Sequence, residues 1–361
     1  MKKHEIIVKG TILLGSDFES YEGYLALKDG IVCEVGTGDV DAEASGIILP
    51  CFVNAHTHIG DGILKDPDMA SLDDLVKPPN GLKHRVLRDA PSSQLIEGMR
   101  HTIMDMKSTG ICAFADFREG GMDGVAALKD ASKGFEADII PLIFGRKDNS
   151  DTIDIMNVIS VCDGAGISGT NDLKKAELEE YAAATKEIGK MLAIHAGEKD
   201  ESDIADALAL SPDILIHMIH ASAANLQQVH DMGASIAVCP RSNFSTGVDS
   251  FRLPLRKMLD CSVNVSLGTD NVMLNSPDMF CEMAFLAQLA RIYRIDYVEI
   301  LKMATINGAS AYGIDSHGPI IEGAKSRIMV LDEKSPNLWG VKNIVSSVVR
   351  RAKASDIMLV G

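Results

Sequence analysis

Four short segments, far apart in the chain, carry side chains that bind divalent metals. They are Asn54-Ala55-His56-Thr57-His58, His195-Ala196-Gly197-Glu198, His217-Met218-Ile219-His220 and Gly268-Thr269-Asp270-Asn271. Each follows an apolar run that reads as a buried strand: IILPCFV, MLAI, ILI and NVSLG. His56 and His58 are two residues apart, and on an extended backbone such residues project to the same side. Two imidazoles can therefore grip one ion. His195 can add a third nitrogen and Asp270 an oxygen. Three imidazoles and one carboxylate suit zinc, and also ferrous iron or manganese. An ion with one open position lowers the pKa of water toward ~7 and makes it a nucleophile at neutral pH. The chemistry these residues predict is hydrolysis.

For the four segments to meet, their strands must be parallel neighbours ending on one side, which is how a barrel enzyme gathers its site. Strand candidates are residues 47–53, 111–117, 138–145, 158–163, 191–195, 213–218, 235–239 and 263–268. Helix candidates between them include 92–108, 172–189, 200–210 and 222–232. Eight β-then-α units with strands apolar on both faces predict a parallel sheet, and eight is the number that closes a barrel. Both chain ends read as short strands, with a hairpin signal at Lys28-Asp29-Gly30. The predicted architecture is a (β/α)8 TIM barrel over residues 49–317, with a small β-sandwich built from 1–48 and 318–361. A helical stretch, 277–312, leads from the eighth strand back to the sandwich. Residues 59–91, marked by Pro78-Pro79-Asn80-Gly81, read as a long polar loop rising from the metal-bearing face, where it would form a lid or pocket wall.

Composition narrows the partners. The 361 residues carry 51 acidic and 35 basic side chains, a net charge of −16, with no basic cluster. That argues against a nucleic-acid binder, and the charge is read as serving solubility. Seven widely spaced cysteines with no CxxC read as packing residues of a reducing compartment. The N-terminus lacks the apolar core of a secretory signal, and no stretch approaches the ~20 apolar residues that span a bilayer. The expected location is the cytoplasm, away from membranes.

The motif set NAHTH at 54–58, HAGE at 195–198, the histidine at 217 and GTDN at 268–271 resembles the amidohydrolase superfamily. HAGE and the lone aspartate after strand eight resemble its single-metal branch, which holds adenosine, cytosine and guanine deaminases and triazine chlorohydrolases. The resemblance covers nearly the whole chain. It implies that His56, His58, His195 and Asp270 hold one ion, most simply zinc. Asp270 would also take a proton from the attacking water, and His217 would orient and polarise that water. Glu198 would be the acid that protonates a ring nitrogen, with a pKa raised by burial. By the family pattern His217, and not His220, is the catalytic histidine, and His220 is left to a supporting contact. The carbamylated lysine of two-metal relatives would fall after strand four, and Val161-Cys162-Asp163-Gly164 offers none. The implied activity is deamination of a purine, pyrimidine or pterin-like ring. The alternatives are opening of a cyclic amide or removal of chloride. A homodimer is plausible by resemblance alone.

Substrate contacts are harder to read. Arg118, Arg146 and Arg241 fall at predicted strand ends, where a guanidinium could fork onto a substrate anion. Asn243 and Asn275 could hydrogen-bond a polar ring. Gly164-Ala165-Gly166-Ile167-Ser168-Gly169 spells GxGxxG and keeps an NAD-dependent oxidoreductase as an alternative from another class.

Overall fold

The computed structural model describes residues 5–148, 154–248 and 250–361. Four strands open the chain: β1 (Glu5–Leu14), β2 (Glu19–Lys28), β3 (Ile31–Gly36) and β4 (Ala44–Pro50). The next five are β5 (Phe52–His58), β6 (Ile111–Arg118), β7 (Ile140–Gly145), β8 (Gly164–Ile167) and β9 (Met191–Ala196). Then come β10 (Ile214–His217), β11 (Ser235–Val238), β12 (Asn264–Leu267) and β13 (Asp270–Asn271). The last two are β14 (Ile328–Leu331) and β15 (Ile357–Val360).

The chain divides into two compact units, one of Met1–Val53, Lys107–Cys112 and Asp278–Gly361, the other of Asn54–Met106 and Ala113–Pro277. Both chain ends meet in a six-stranded sheet of order β15-β14-β4-β1-β2-β3. Its apolar face is packed from residues such as Val8, Ile12, Leu25, Ile48, Ile328 and Val330. The expected hairpin turn lies between β2 and β3, with Asp29 and Gly30 both at positive φ. Asp-Gly supplies that geometry at little steric cost.

The second sheet has nine strands in the order β12-β11-β10-β9-β8-β7-β6-β5-β13. Its strands pair in parallel and are buried on both faces, as parallel strands covered by helices must be. β12 and β13 stand at opposite ends of this order, yet only Gly268 and Thr269 separate them in sequence. The sheet is therefore curled. Gly268 lets the chain pass tightly against β5: a Cβ there would lie 2.7 Å from the His56 nitrogen and 2.9 Å from its carbonyl oxygen. Asn54 completes the seam, accepting from the Thr269 N–H at 3.0 Å and donating to the Thr269 hydroxyl at 2.7 Å.

Three sequence expectations shift. The first strand of the curled sheet is β5, not 47–53, because 47–50 pair inside the terminal sheet. The fourth strand is β8, not 158–163. Residues Ile155–Ser160 are instead a helix whose Ile155, Val158 and Ile159 are buried, an i, i+3, i+4 spacing that the β-branched composition masks. The glycine run is thus the strand itself and not a phosphate-binding turn. A Cβ on Gly166 would meet the Phe117 ring and the Phe144 carbonyl, each at 2.8 Å. Lastly, the 59–91 segment is partly helical, holding Ile59–Ile63 as a 3-10 turn and the helices Leu72–Val76 and Leu82–Asp89. The helix Ser92–Ser108 falls where the spacing predicts it. The 277–312 stretch breaks into Met279–Tyr293, Tyr297–Ala304 and Ile306–Ala311. No helix among the described residues is long and apolar enough to cross a membrane.

Candidate active site

Strand alternation aims the first ligands. Asn54, His56 and His58 share one face of β5, while Thr57 turns away to donate to the Ala115 carbonyl at 3.0 Å. The neighbouring strands add His195 from β9, His217 at the end of β10 and Asp270 at the start of β13. Register sets Asp270 beside Thr57 and Ile216 beside His195. His217 and Asp270 both sit at positive φ, 70° and 59°. Non-glycine residues hold that conformation only when their surroundings over-determine it, which is common at functional sites.

The ring nitrogens converge. His56 Nε2 lies 3.2 Å from Asp270 Oδ1 and 3.1 Å from His195 Nε2, and His58 Nε2 lies 3.6 Å from Asp270 Oδ1. Ligands held 2.0–2.1 Å from a tetrahedral zinc sit about 3.3 Å from one another. The observed spacings bracket that value. Protonation is oriented to match. His195 Nδ1 is 2.8 Å from the Ile167 carbonyl, which can only accept, so Nδ1 carries the proton and Nε2 presents its lone pair. His58 Nδ1 faces the Phe117 carbonyl at 3.1 Å with the same consequence. His56 Nδ1 has no partner, and its Nε2 faces an anion and another lone pair. A cation among these nitrogens and the Asp270 oxygen would relieve the crowding of their lone pairs, with His56 Nδ1 still left without a partner. Burial pushes the three histidines below their ordinary pKa, His58 to about 3, which keeps them neutral as metal ligands require. Burial opposes the charge on Asp270, but the His56 ring set against it holds its carboxyl well below the usual carboxylate range.

Beside this cluster stands a second set. His217 Nε2 is 3.6 Å from Glu198 Oε2, and the Asn243 amide donates to Glu198 Oε1 at 3.1 Å and to His217 Nδ1 at 3.2 Å. With Nδ1 accepting, the His217 proton sits on Nε2, facing the cluster. Ser242 donates to Asp270 Oδ2 at 2.6 Å and fixes its carboxylate. Burial raises the Glu198 pKa against the opposing pull of His217. His58, His195, Glu198, His217 and Asp270 line a cavity of about 200 Å³. A second cavity of about 630 Å³ shares Pro78, His84, Arg146, Ser168 and Asp172 with it.

Residues 47–357 match the model of the amidohydrolase family. The chain belongs to that family. An uncharacterized protein of Methanocaldococcus jannaschii is 34% identical over 98% of this chain and 97% of its own length. A 5-methylthioadenosine/S-adenosylhomocysteine deaminase of Halobacterium salinarum is 27% identical over 97% of this chain and 89% of its own length. Among solved structures, an adenosine deaminase of Xanthomonas campestris with bound zinc superposes with a TM-score of 0.77 at 16% identity, covering 98% of this chain and 91% of that one.

Of the polar residues expected to meet substrate, Arg118 and Arg146 line the larger cavity of this amidohydrolase and Arg146 the smaller one too, while Arg241 and Asn243 line neither. Arg118 is buried, its guanidinium 3.2 Å from Asp116 and 2.7 Å from Glu119, so the fork is already occupied. Arg241 donates to the Ser276 carbonyl at 2.7 Å. Asn243 is spent on Glu198 and His217. Arg146 alone of the three arginines lines both cavities. His220 donates its backbone N–H to the Gly197 carbonyl at 3.0 Å. At the end of β8 stand Ile167, Ser168 and Gly169, so no lysine follows the fourth strand here either. Sequence reading did not single out Glu119 or Lys83, both buried beside His58. The available signal was slight: Glu119 is the first residue past β6, and Lys83 lies in the segment that rises from the site.

Proposed function

We propose that this amidohydrolase deaminates a nitrogen heterocycle, a purine, pyrimidine or pterin-like ring, with one zinc ion held by His56, His58, His195 and Asp270. The observation that carries the reading is Glu198, a raised-pKa carboxyl turned toward the same chamber as the converging imidazoles. The ion, when bound, supplies Lewis-acid activation of water. The chain's own groups supply the rest. Asp270 takes a proton from the attacking water, and His217 Nε2–H orients that water. Glu198, protonated, donates to a ring nitrogen and leaves the neighbouring carbon electrophilic, a task that needs a carboxylic acid poised near neutral pH. The proton taken up by Asp270 passes to the amino group, the C–N bond breaks to release ammonia, and the hydroxyl proton given up as the carbonyl forms restores Glu198 to its acid form.

A chamber of about 200 Å³ suits one or two fused rings, and the adjoining cavity of about 630 Å³ leaves room for a substituent on the ring. The deaminase names of the relatives accord with this. The fold reading that accompanies it is a closed (β/α)8 barrel, since the sheet's two edges are joined across Gly268 and Thr269.

The test is ammonia release from the zinc-loaded protein on a panel of adenosine, S-adenosylhomocysteine, guanine, cytosine and an aminopterin-type ring. Release from at least one member at enzymatic rates is expected. Ring opening without ammonia, on a cyclic-amide panel, would transfer the assignment to the other hydrolytic chemistry.

A further inference from the structure

Away from the active site, the unit built from both chain ends carries a cavity of about 580 Å³. Small-molecule sites fall in the range of ~300–1,000 Å³. Lys342, Arg350 and Arg351 line this one, with Asn337, Asn343 and Ser346 among them. No acidic residue lines it, in a chain of net charge −16. Residues 334–353 contain no aspartate or glutamate at all. The helix Ile344–Arg350 buries Val345, Val348 and Val349, and turns Ser346 and Arg350, one turn apart, to the cavity.

The cations are held without being neutralised. The Arg350 guanidinium lies over the Tyr297 ring, 5.8 Å from its centre, which steadies the group and leaves its charge. Arg351 donates from Nε to the Asn337 carbonyl at 3.3 Å, and the Asn337 amide donates to the Arg351 carbonyl at 2.7 Å. Among the described residues, no carboxylate forms an ion pair with Lys342, Arg350 or Arg351. Asp356, which also accepts from the Asn337 amide, is buried. Asn343 Oδ1 accepts the Ser346 N–H at 2.8 Å, so its amide nitrogen is left to donate.

We propose that this cavity binds a small phosphorylated molecule, a phosphate ester or diphosphate. Guanidinium groups fork onto phosphate oxygens, and lysine adds a point charge. The Asn343 amide and the Ser346 hydroxyl supply neutral donors. A lipid surface or a nucleic acid would take a broader basic face than three cations around one cavity.

The test titrates the zinc-loaded full chain with ADP, with inorganic pyrophosphate and, as the uncharged control, with adenosine. Calorimetry measures affinity. The fluorescence of Trp339, the chain's sole tryptophan, locates the site, because Asn337 and Val341 on either side of it line the cavity. Saturable binding of ADP and pyrophosphate is expected, with a fluorescence change that adenosine does not produce. Lys342→Ala and Arg350→Ala should each weaken it about 10–100-fold. Both side chains are exposed, so parental melts should accompany the loss, and either variant decides the matter if the other does not fold. Arg146→Ala, in the active-site cavities, should bind as the parent does. No saturable heat from either phosphate at millimolar concentration overturns the proposal. So does binding that survives both cavity variants or disappears in Arg146→Ala. Sedimentation with phosphatidylglycerol vesicles, without binding of the soluble phosphates, also overturns it and assigns the cations to a lipid surface.

Discussion

Glu198 carries the most exposed part of the functional reading, because it asks one carboxyl to stay protonated near neutral pH. Burial raises its pKa while the Asn243 amide and His217 hold its two oxygens in place. Replacing it with glutamine keeps the shape and removes the proton. Glu198→Gln should lose about 10²–10⁴-fold in turnover while zinc content, measured by elemental analysis, stays at the parental level. Since the folded pKa is raised, the acid form persists to higher pH than for an ordinary glutamate. Activity should therefore be present below that pKa and fall as pH rises through it. A pH–rate profile with no such falling limb, or one unchanged in Glu198→Gln, would remove the acid from the mechanism.

At the scale of elements, the site depends on strands that begin and stop at the right residue. β5 runs through His58, so its alternation, and not a loop, sets the two imidazoles on one face. The tight seam at Gly268 returns β13 to β5 and brings Asp270 to His56. Gly268→Ala must displace backbone atoms of His56, and should cost about 1–3 kcal/mol in denaturant unfolding, with weaker zinc binding as a second readout. The helix Leu72–Val76 is tied across the chamber's rim by Asp73 to Lys199, at 3.0 Å, one residue from Glu198. Both side chains are well exposed, so Asp73→Ala should change stability by less than about 1 kcal/mol. An effect on KM without one on the melt would mark the pair as a clasp on the pocket wall. Short glycine-rich β8 was illegible in sequence because Phe117 and Phe144, and not its own side chains, fill the space beside it.

Taken as one molecule, the chain assembles its site from four distant segments, and the folded state alone brings them together. Zinc should therefore bind the native chain far better than the unfolded one. At a free ion concentration a hundredfold above Kd, linkage predicts about 2.7 kcal/mol of added stability. Calorimetry with and without a chelator checks this. An unchanged melt in the presence of zinc would argue that the four groups do not share an ion.

The sequence alone determined the ligand types, their spacing and their place at the ends of apolar runs. Those features are local, since apolar runs declare buried strands and the i, i+2 pair declares a shared face. The tertiary structure decided what the polar neighbours do. Arg118 reads as a substrate fork in sequence, and becomes one arm of a buried cluster once Asp116 and Glu119 stand beside it. Asn243 and Lys83 acquire roles only through partners 45 and 188 positions away. Hydrogen bonds and ion pairs depend on distances of a few tenths of an ångström between segments, and linear order holds no record of them.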